Sequence, residues 1–302
     1  MKKILVIGSI NIDQVISVER LPKNGETIFG NSIKYNSGGK GANQSVAIAK
    51  MNCDVKLLAI RGNDKWGDFC ISSCDKFGIN TSRIINLNNK ETGLASIYVQ
   101  NDGLNSIVVL GGANEFLSKK IISKNIDLIE ECDFLVCQLE TNNDAIFYAM
   151  KLAKKYSKIT ILNPAPAKLM NKNEFKNCDY LIPNETELET ISGVQINSEN
   201  DLETAILKLD KIASHMHIIV TFGSKGVFYY NKTNKIIENF PAIKTNVVDT
   251  TAAGDSFIGG FVSKISKGKS IDESINFGLK VASITVSKKG SQNSIPYYKD
   301  VE

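Results

Sequence analysis

Residues 246–261 read NVVDTTAAGDSFIGGF. A β-branched pair ends at Asp249, five small residues run to Gly254, and an apolar run opens at Phe257, just past Asp255. This pattern predicts a strand end, a tight turn and a helix start, one unit of an alternating α/β chain. A packed core has no use for two carboxylates around bare backbone. An anion site does. The N–H groups of Ala252, Ala253 and Gly254 would stand at the positive end of a helix dipole with no side chain in the way, and Asp255 would sit in the first turn. The plainer reading is a capping aspartate after a small-residue turn. That reading leaves Asp249 unexplained, because one cap needs no second carboxylate six residues earlier.

The same alternation extends through the chain. Apolar, β-rich runs at 4–8, 55–60, 134–139, 159–163, 180–184 and 218–223 predict buried parallel strands. Helical patterns at 41–51, 66–77, 143–156, 185–192, 201–213, 254–267 and 271–287 lie between or after them. In the last, Ile275, Leu279, Ala282 and Val286 share one apolar face. The fold class is therefore α/β: a doubly wound, mostly parallel central sheet flanked by helices. Residues 12–37 and 93–112 break the pattern with alternating strands and turn glycines, and Asn101-Asp102-Gly103 predicts a hairpin turn. They read as insertions forming a small β-sheet over the site edge, either a lid or a plain edge extension or dimer surface. All 302 residues form one domain in this reading.

Bulk properties narrow the function. With 36 basic and 32 acidic residues the net charge is only +4, and no basic arm or stripe occurs, which argues against nucleic acid. Arginine occurs only as Arg20, Arg61 and Arg83, so phosphate charge would fall to lysine, metal ions and backbone N–H groups. The six cysteines form no CxxC pair and are expected to be reduced, mostly buried thiols. The apolar run after Lys2 and Lys3 is too short for a signal peptide, and no apolar stretch reaches 18 residues. A cytoplasmic protein without membrane partners is expected.

Four further stretches carry candidate chemistry. In NSGGKGANQ (36–44), glycines permit close backbone approach, and Lys40 and Asn43 lie three apart at a helix start, suited to a hydroxylated ligand. The alternative is a glycine-rich turn with a solvated lysine. GSINID (8–13) puts Asn11 and Asp13 on one side of an extended segment after the first strand, and Glu140 follows another strand. Strand carboxyl ends are where open α/β sheets bind ligands. PNETELE (183–189) offers Asn184 and Glu187 to metal-bound waters, and TFGSKG (221–226) could wrap phosphates through backbone N–H groups. The pair His215 and His217 has no nearby metal partner and reads as a surface loop. No GxGxxG fingerprint follows the first strand, which disfavours a dinucleotide oxidoreductase.

Together GSINID, GGKGANQ, NPAPA (163–167), PNETE, VTFGSKG, DTTAAGDSF and KKGSQNSIP (288–296) resemble the ribokinase-type sugar kinase family, in family order and over nearly the whole chain. The resemblance implies ATP-dependent phosphorylation of the D-ribose 5-hydroxyl, with Mg²⁺ required and a monovalent cation, usually K⁺, as activator. It implies sugar contacts at Asn11, Asp13, Gly39, Lys40, Asn43 and Glu140, with Asp255 as base and Ala252, Ala253 and Gly254 as anion hole. It implies ATP contacts at Asn184, Thr221, Gly223, Ser224, Gly226 and Gly254, with Glu187 handling Mg²⁺ and phosphate. Carbonyls around Asp249, Thr251, Thr285, Lys288 and Gly290, with Ser294, would hold the cation. The two insertions would form a β-lid that is also a homodimer interface. Leu279 departs from the polar residue or histidine often found near the adenine. A kinase of deoxyribose, fructose or pseudouridine, and a non-catalytic sugar sensor, are the competing readings.

Overall fold

A computed structural model describes residues 2–101 and 104–302. Its elements begin with β1 (Lys3–Ile7), β2 (Asn11–Ser17), β3 (Ser32–Gly38), α1 (Lys40–Lys50), β4 (Asp54–Leu58), β5 (Ile60–Gly62), α2 (Lys65–Lys76) and β6 (Ile85–Leu87). There follow β7 (Gly93–Val99), β8 (Asn105–Leu110), α3 (Lys119–Lys124), α4 (Ile126–Glu131), β9 (Phe134–Gln138), α5 (Asn143–Lys155), β10 (Ile159–Asn163), α6 (Lys172–Phe175) and β11 (Tyr180–Leu181). The chain continues with α7 (Glu185–Ser192), α8 (Glu199–Ile212), β12 (His217–Thr221), β13 (Val227–Asn231), β14 (Ile236–Phe240), α9 (Ala253–Ile265) and α10 (Ile271–Val286).

The main sheet has eight strands in the order β14-β13-β12-β11-β10-β9-β1-β4. All pairs from β4 to β12 are parallel, so the carboxyl ends of these strands share one edge. Strand order reverses around β1 and β9, which makes the crevice beyond them the topological switch point. Side-chain alternation feeds two cores. Leu5 and Ile7 of β1 join Leu135, Leu162, Ala149 and Ile206 on one face, whereas Ile4 and Val6 join Val46, Phe257, Phe261 and Ile275 on the other.

A separate four-stranded sheet, ordered β3-β2-β7-β8, is built from the two predicted insertions. In it β2 runs antiparallel to β3, with Asp13 opposite Asn36, and parallel to β7. The predicted turn at Asp102-Gly103 lies outside the described residues, but β7 and β8 pair antiparallel on either side of it.

Three sequence expectations fail. The strand expected to end at Asp249 is not formed between β14 and α9: Val247 and Val248 are exposed, and the N–H groups of Val248 and Asp249 donate to Val286 O at the end of α10 instead. The run 55–60 is split at Ala59, whose carbonyl accepts the Ile85 N–H, and β5 then pairs with β6. The His215–His217 stretch is not a loop throughout, because Met216 is buried and His217 opens β12 between the rings of Tyr180 and Tyr229. The antiparallel hairpin β13–β14 was not predicted, although the β propensity of Val-Phe-Tyr-Tyr marks its first strand.

Candidate active site

Helix α9 starts where the sequence places it and brings Asp255 to the switch point, 7% exposed. Two glycines allow this. A Cβ at Gly259 would lie 2.3 Å from Ala47 Cβ, and one at Gly260 would lie 2.8 Å from Gly278 Cα, so α9 packs closely on both α1 and α10. At that distance α1 reaches the carboxylate directly: Asn43 Nδ2 donates to Asp255 Oδ2 at 3.1 Å and Gln44 Nε2 to Oδ1 at 3.0 Å.

Both amides are themselves held. Gln292 Nε2 donates to Asn43 Oδ1 at 3.1 Å, and Ser73 Oγ donates to Gln292 Oε1 at 2.9 Å. Gln138 Nε2 donates to Gln44 Oε1, and Gln44 Nε2 also reaches Asn163 Oδ1 at 3.2 Å. Asn163 Nδ2 in turn donates to Glu187 Oε2 at 3.3 Å. Gln44, Asn163 and Gln292 lay inside quoted motifs but were not assigned a role, and Gln138 was missed altogether. Buried amides give no periodic signal in sequence.

The turn ahead of α9 leaves backbone N–H groups open toward a cavity. Ala252 is the N-cap in the left-handed region, φ 60°. The Ala253 N–H donates to Thr250 O at 3.2 Å, so it is engaged, whereas the Gly254 and Asp255 N–H groups, at the helix start, find no acceptor among the described residues. A Cβ at Gly254 would meet open space. A cavity of about 180 Å³ opens there, lined by Ala252 to Asp255 together with Lys40, Asn163, Asn184, Glu187 and Thr221.

Four carboxylates act on Lys40 at its edge: Glu187 and Asp255 from the lining, Asp13 of β2 and Glu140 from the loop after β9. Glu140 Oε2 accepts the Lys40 N–H at 2.9 Å and the Ser9 hydroxyl. Burial, then Glu140 and Asp255, push the Asp13 carboxyl up to about 7. Burial also raises Glu187. Burial would lower Lys40, yet Asp255, Glu140, Glu187 and Asp13 outweigh it and hold the ammonium above its usual value. One lysine thus serves four acids. Gly39 (φ 88°) and Gly41 allow α1 to start this close: a Cβ at Gly39 would lie 2.7 Å from Asn11 N. These glycines admit the chain's own strand end, not only a ligand. Asn11 is buried, its Oδ1 accepting from Asn114 Nδ2 at 2.8 Å.

Asn184 caps α7 in a reciprocal box, its Oδ1 accepting the Glu187 N–H at 2.7 Å and Glu187 Oε2 accepting the Asn184 N–H at 2.9 Å. Thr221 bridges to Asn184 at the end of β12. Gly223 and Ser224 are exposed in the following turn, while Gly226 is buried where a Cβ would lie 2.1 Å from Phe240 O. Leu279 belongs to the core beside α9.

Of the expected cation ligands, Asp249 touches Thr251 and Gly290. Its Oδ1 accepts the Thr251 N–H and its Oδ2 the Gly290 N–H, both at 2.9 Å, and these bonds outweigh burial and hold the carboxyl below its usual value. The Thr285 hydroxyl donates to Val281 O and the Ser294 hydroxyl to Ser291 O, which leaves the lone pairs of both oxygens, with the nearby carbonyls, to an ion. An oxygen-only donor set of one carboxylate plus carbonyls fits a weakly hydrated monovalent cation. Among the described residues no cluster of three acidic, His or Cys side chains fits a caged divalent ion.

The fold and this site define a class. Residues 1–297 match the pfkB family carbohydrate kinases, and the chain belongs to that family. It is 38% identical to a ribokinase of Staphylococcus aureus, over 99% of this chain and 98% of the relative. It is 35% identical to a deoxyribokinase of Salmonella typhi, over 97% and 95% of the two chains. The structure of Arabidopsis thaliana ribokinase complexed with ribose and ATP superposes with a TM-score of 0.91 at 30% identity, covering 99% of this chain and 97% of that one.

Proposed function

We propose that this protein transfers the γ-phosphoryl group of ATP to the 5-hydroxyl of D-ribose, giving ribose 5-phosphate and ADP. The observation that carries the reading is Asp255 fixed by two amides at the mouth of α9, beside the unpartnered Gly254 N–H and the half-buried Lys40. The ribokinase relatives at full length support it.

Sugar hydroxyls would contact Asn11, Asp13, Gly39, Lys40, Asn43 and Glu140, leaving the 5-hydroxyl against Asp255. That carboxylate takes the hydroxyl proton as the sugar oxygen bonds to the γ-phosphorus and the bond to the ADP oxygen breaks. Such a transfer asks for in-line placement and charge stabilisation more than for a strong base. The N–H groups at the start of α9 and the Lys40 ammonium meet the charge on the transferred group. Asn184, Glu187, Thr221, Gly223, Ser224, Gly226 and Gly254 would hold the nucleotide. Mg²⁺ would arrive with ATP and neutralise its phosphates, with Glu187 reaching its waters. A K⁺ ion on the Asp249, Thr251, Thr285, Lys288, Gly290 and Ser294 set would stiffen the anion turn.

The small sheet acts as a lid that excludes water during transfer, and its outer apolar face pairs two copies as a homodimer. Six free thiols, five of them buried, accord with the reducing cytoplasm. The deoxyribokinase relative makes deoxyribose the second reading. An ADP-release assay over pentoses, hexoses and nucleosides tests both: ribose is expected to give the highest kcat/KM, and no turnover with ribose above the sugar-free rate overturns the proposal.

A further inference from the structure

At the far end of α1 from Lys40, a second lysine is buried with no ion pair among the described residues. Lys50 is 3% exposed, and its ammonium donates to Gln292 O and Ile295 O, both at 2.7 Å. It lies 4.5 Å from the Phe77 ring centroid and 4.9 Å from that of Tyr297. A buried cation is retained only where dipoles or rings replace its water. Here the replacement is two main-chain carbonyls of one loop. Burial, then Lys288 and Lys76, pull the ammonium down to about 8, with Asp300 opposing.

That loop is the one that supports the site. Gly290 N–H binds the Asp249 carboxylate, the Ser291 hydroxyl donates to Ser37 O at 3.3 Å, and Gln292 holds Asn43, which holds Asp255. A path of side chain and backbone therefore runs from Lys50 through Gln292 and Asn43 to the carboxylate, and both of its ends rest on α1 or its packing partner α9. We infer that Lys50 is a positioning residue for phosphoryl transfer, an internal cation that clamps the 292–295 loop so that Gln292 keeps the Asn43 amide, and with it Asp255, in the productive orientation. This role rests on the kinase reading above. Without the ammonium, two carbonyls of buried residues lose their donor, and the loop relaxes.

The test compares purified wild type, Lys50→Met, Lys50→Arg, Gln292→Met and the double variant Lys50→Met/Gln292→Met, with melting curves to establish folding. Wild type must turn over ribose; if it does not, the kinase reading fails and not the clamp. Given wild-type turnover, Lys50→Met and Gln292→Met are each expected to lose ~10²-fold in kcat, the scale of a small misplacement at a reacting centre, with a smaller rise in ribose KM because Asn43 also faces the sugar. Lys50→Arg recovers most of the loss. The double variant is no worse than the poorer single, because both changes cut one path. A folded Lys50→Met with wild-type kcat overturns the inference. So do losses that multiply in the double variant, or a defect confined to KM. If Lys50→Met does not fold, Gln292→Met still decides: wild-type kcat in that folded variant overturns the path.

Discussion

The Asn43 amide nitrogen stands 3.1 Å from Asp255 Oδ2 although 212 residues separate the two. Gln44 binds the other oxygen, so consecutive residues of α1 grip both lobes of one carboxylate. Two donors fix its plane as well as its place, which is what a base acting in line requires.

Replacing Asp255 by Asn removes the proposed proton acceptor and faces an amide NH₂ toward one of these two donors. Turnover is expected to fall ~10²–10⁴-fold. Ribose binding measured by calorimetry should stay within a few-fold. Near-normal kcat would remove Asp255 from the mechanism.

Asp13 predicts a dependence on pH. Its carboxyl rises from 3.8 when unfolded to about 7 when folded. A carboxyl raised by folding leaves stability intact below the unfolded value and costs stability as pH climbs through the folded one. Asp13→Asn should therefore melt higher than wild type at about pH 8.5, with the gap narrowing toward about pH 6. The same variant should bind ribose more weakly, because it loses a charged acceptor. An identical melting difference at both pH values would contradict the burial argument.

Asp249 predicts a dependence on ions. Wild type should turn over faster in K⁺ than in Na⁺ or ion-free buffer. Asp249→Ala should lose that stimulation and, by freeing the Thr251 and Gly290 N–H groups, about 1–3 kcal/mol of stability. Equal wild-type rates in all three buffers would dismiss the cation site.

On β8, Ile107 is 53% exposed, Val108 58% and Leu110 59%, and Ile33 of β3 is 50% exposed. A run of this kind on an edge strand needs a cover. Ile107→Lys should convert a dimer to a monomer in light scattering without lowering the melting temperature of the main sheet. A wild type that is monomeric at all concentrations would refute the paired-lid reading.

Much of this was legible in the sequence, because parallel strands buried on both faces write continuous apolar runs and helix starts write small polar caps. The six parallel strands and the α9 mouth were found that way. The strand before Asp249 was not there, since β-branched residues such as Val247 and Val248 carry the same local preference whether or not a sheet neighbour exists to receive them. The amides behind the site left no local trace. Gln138 and Gln292 belong to segments far apart in sequence, and only the packing of α9 on α1 gives them a common task.

Ala252 holds a backbone conformation that glycine adopts freely and alanine adopts at about 1–2 kcal/mol. The chain carries that tension with no ligand bound. If phosphate settles on this turn as proposed, it meets a shape already made, and binding energy is left for the moving group itself.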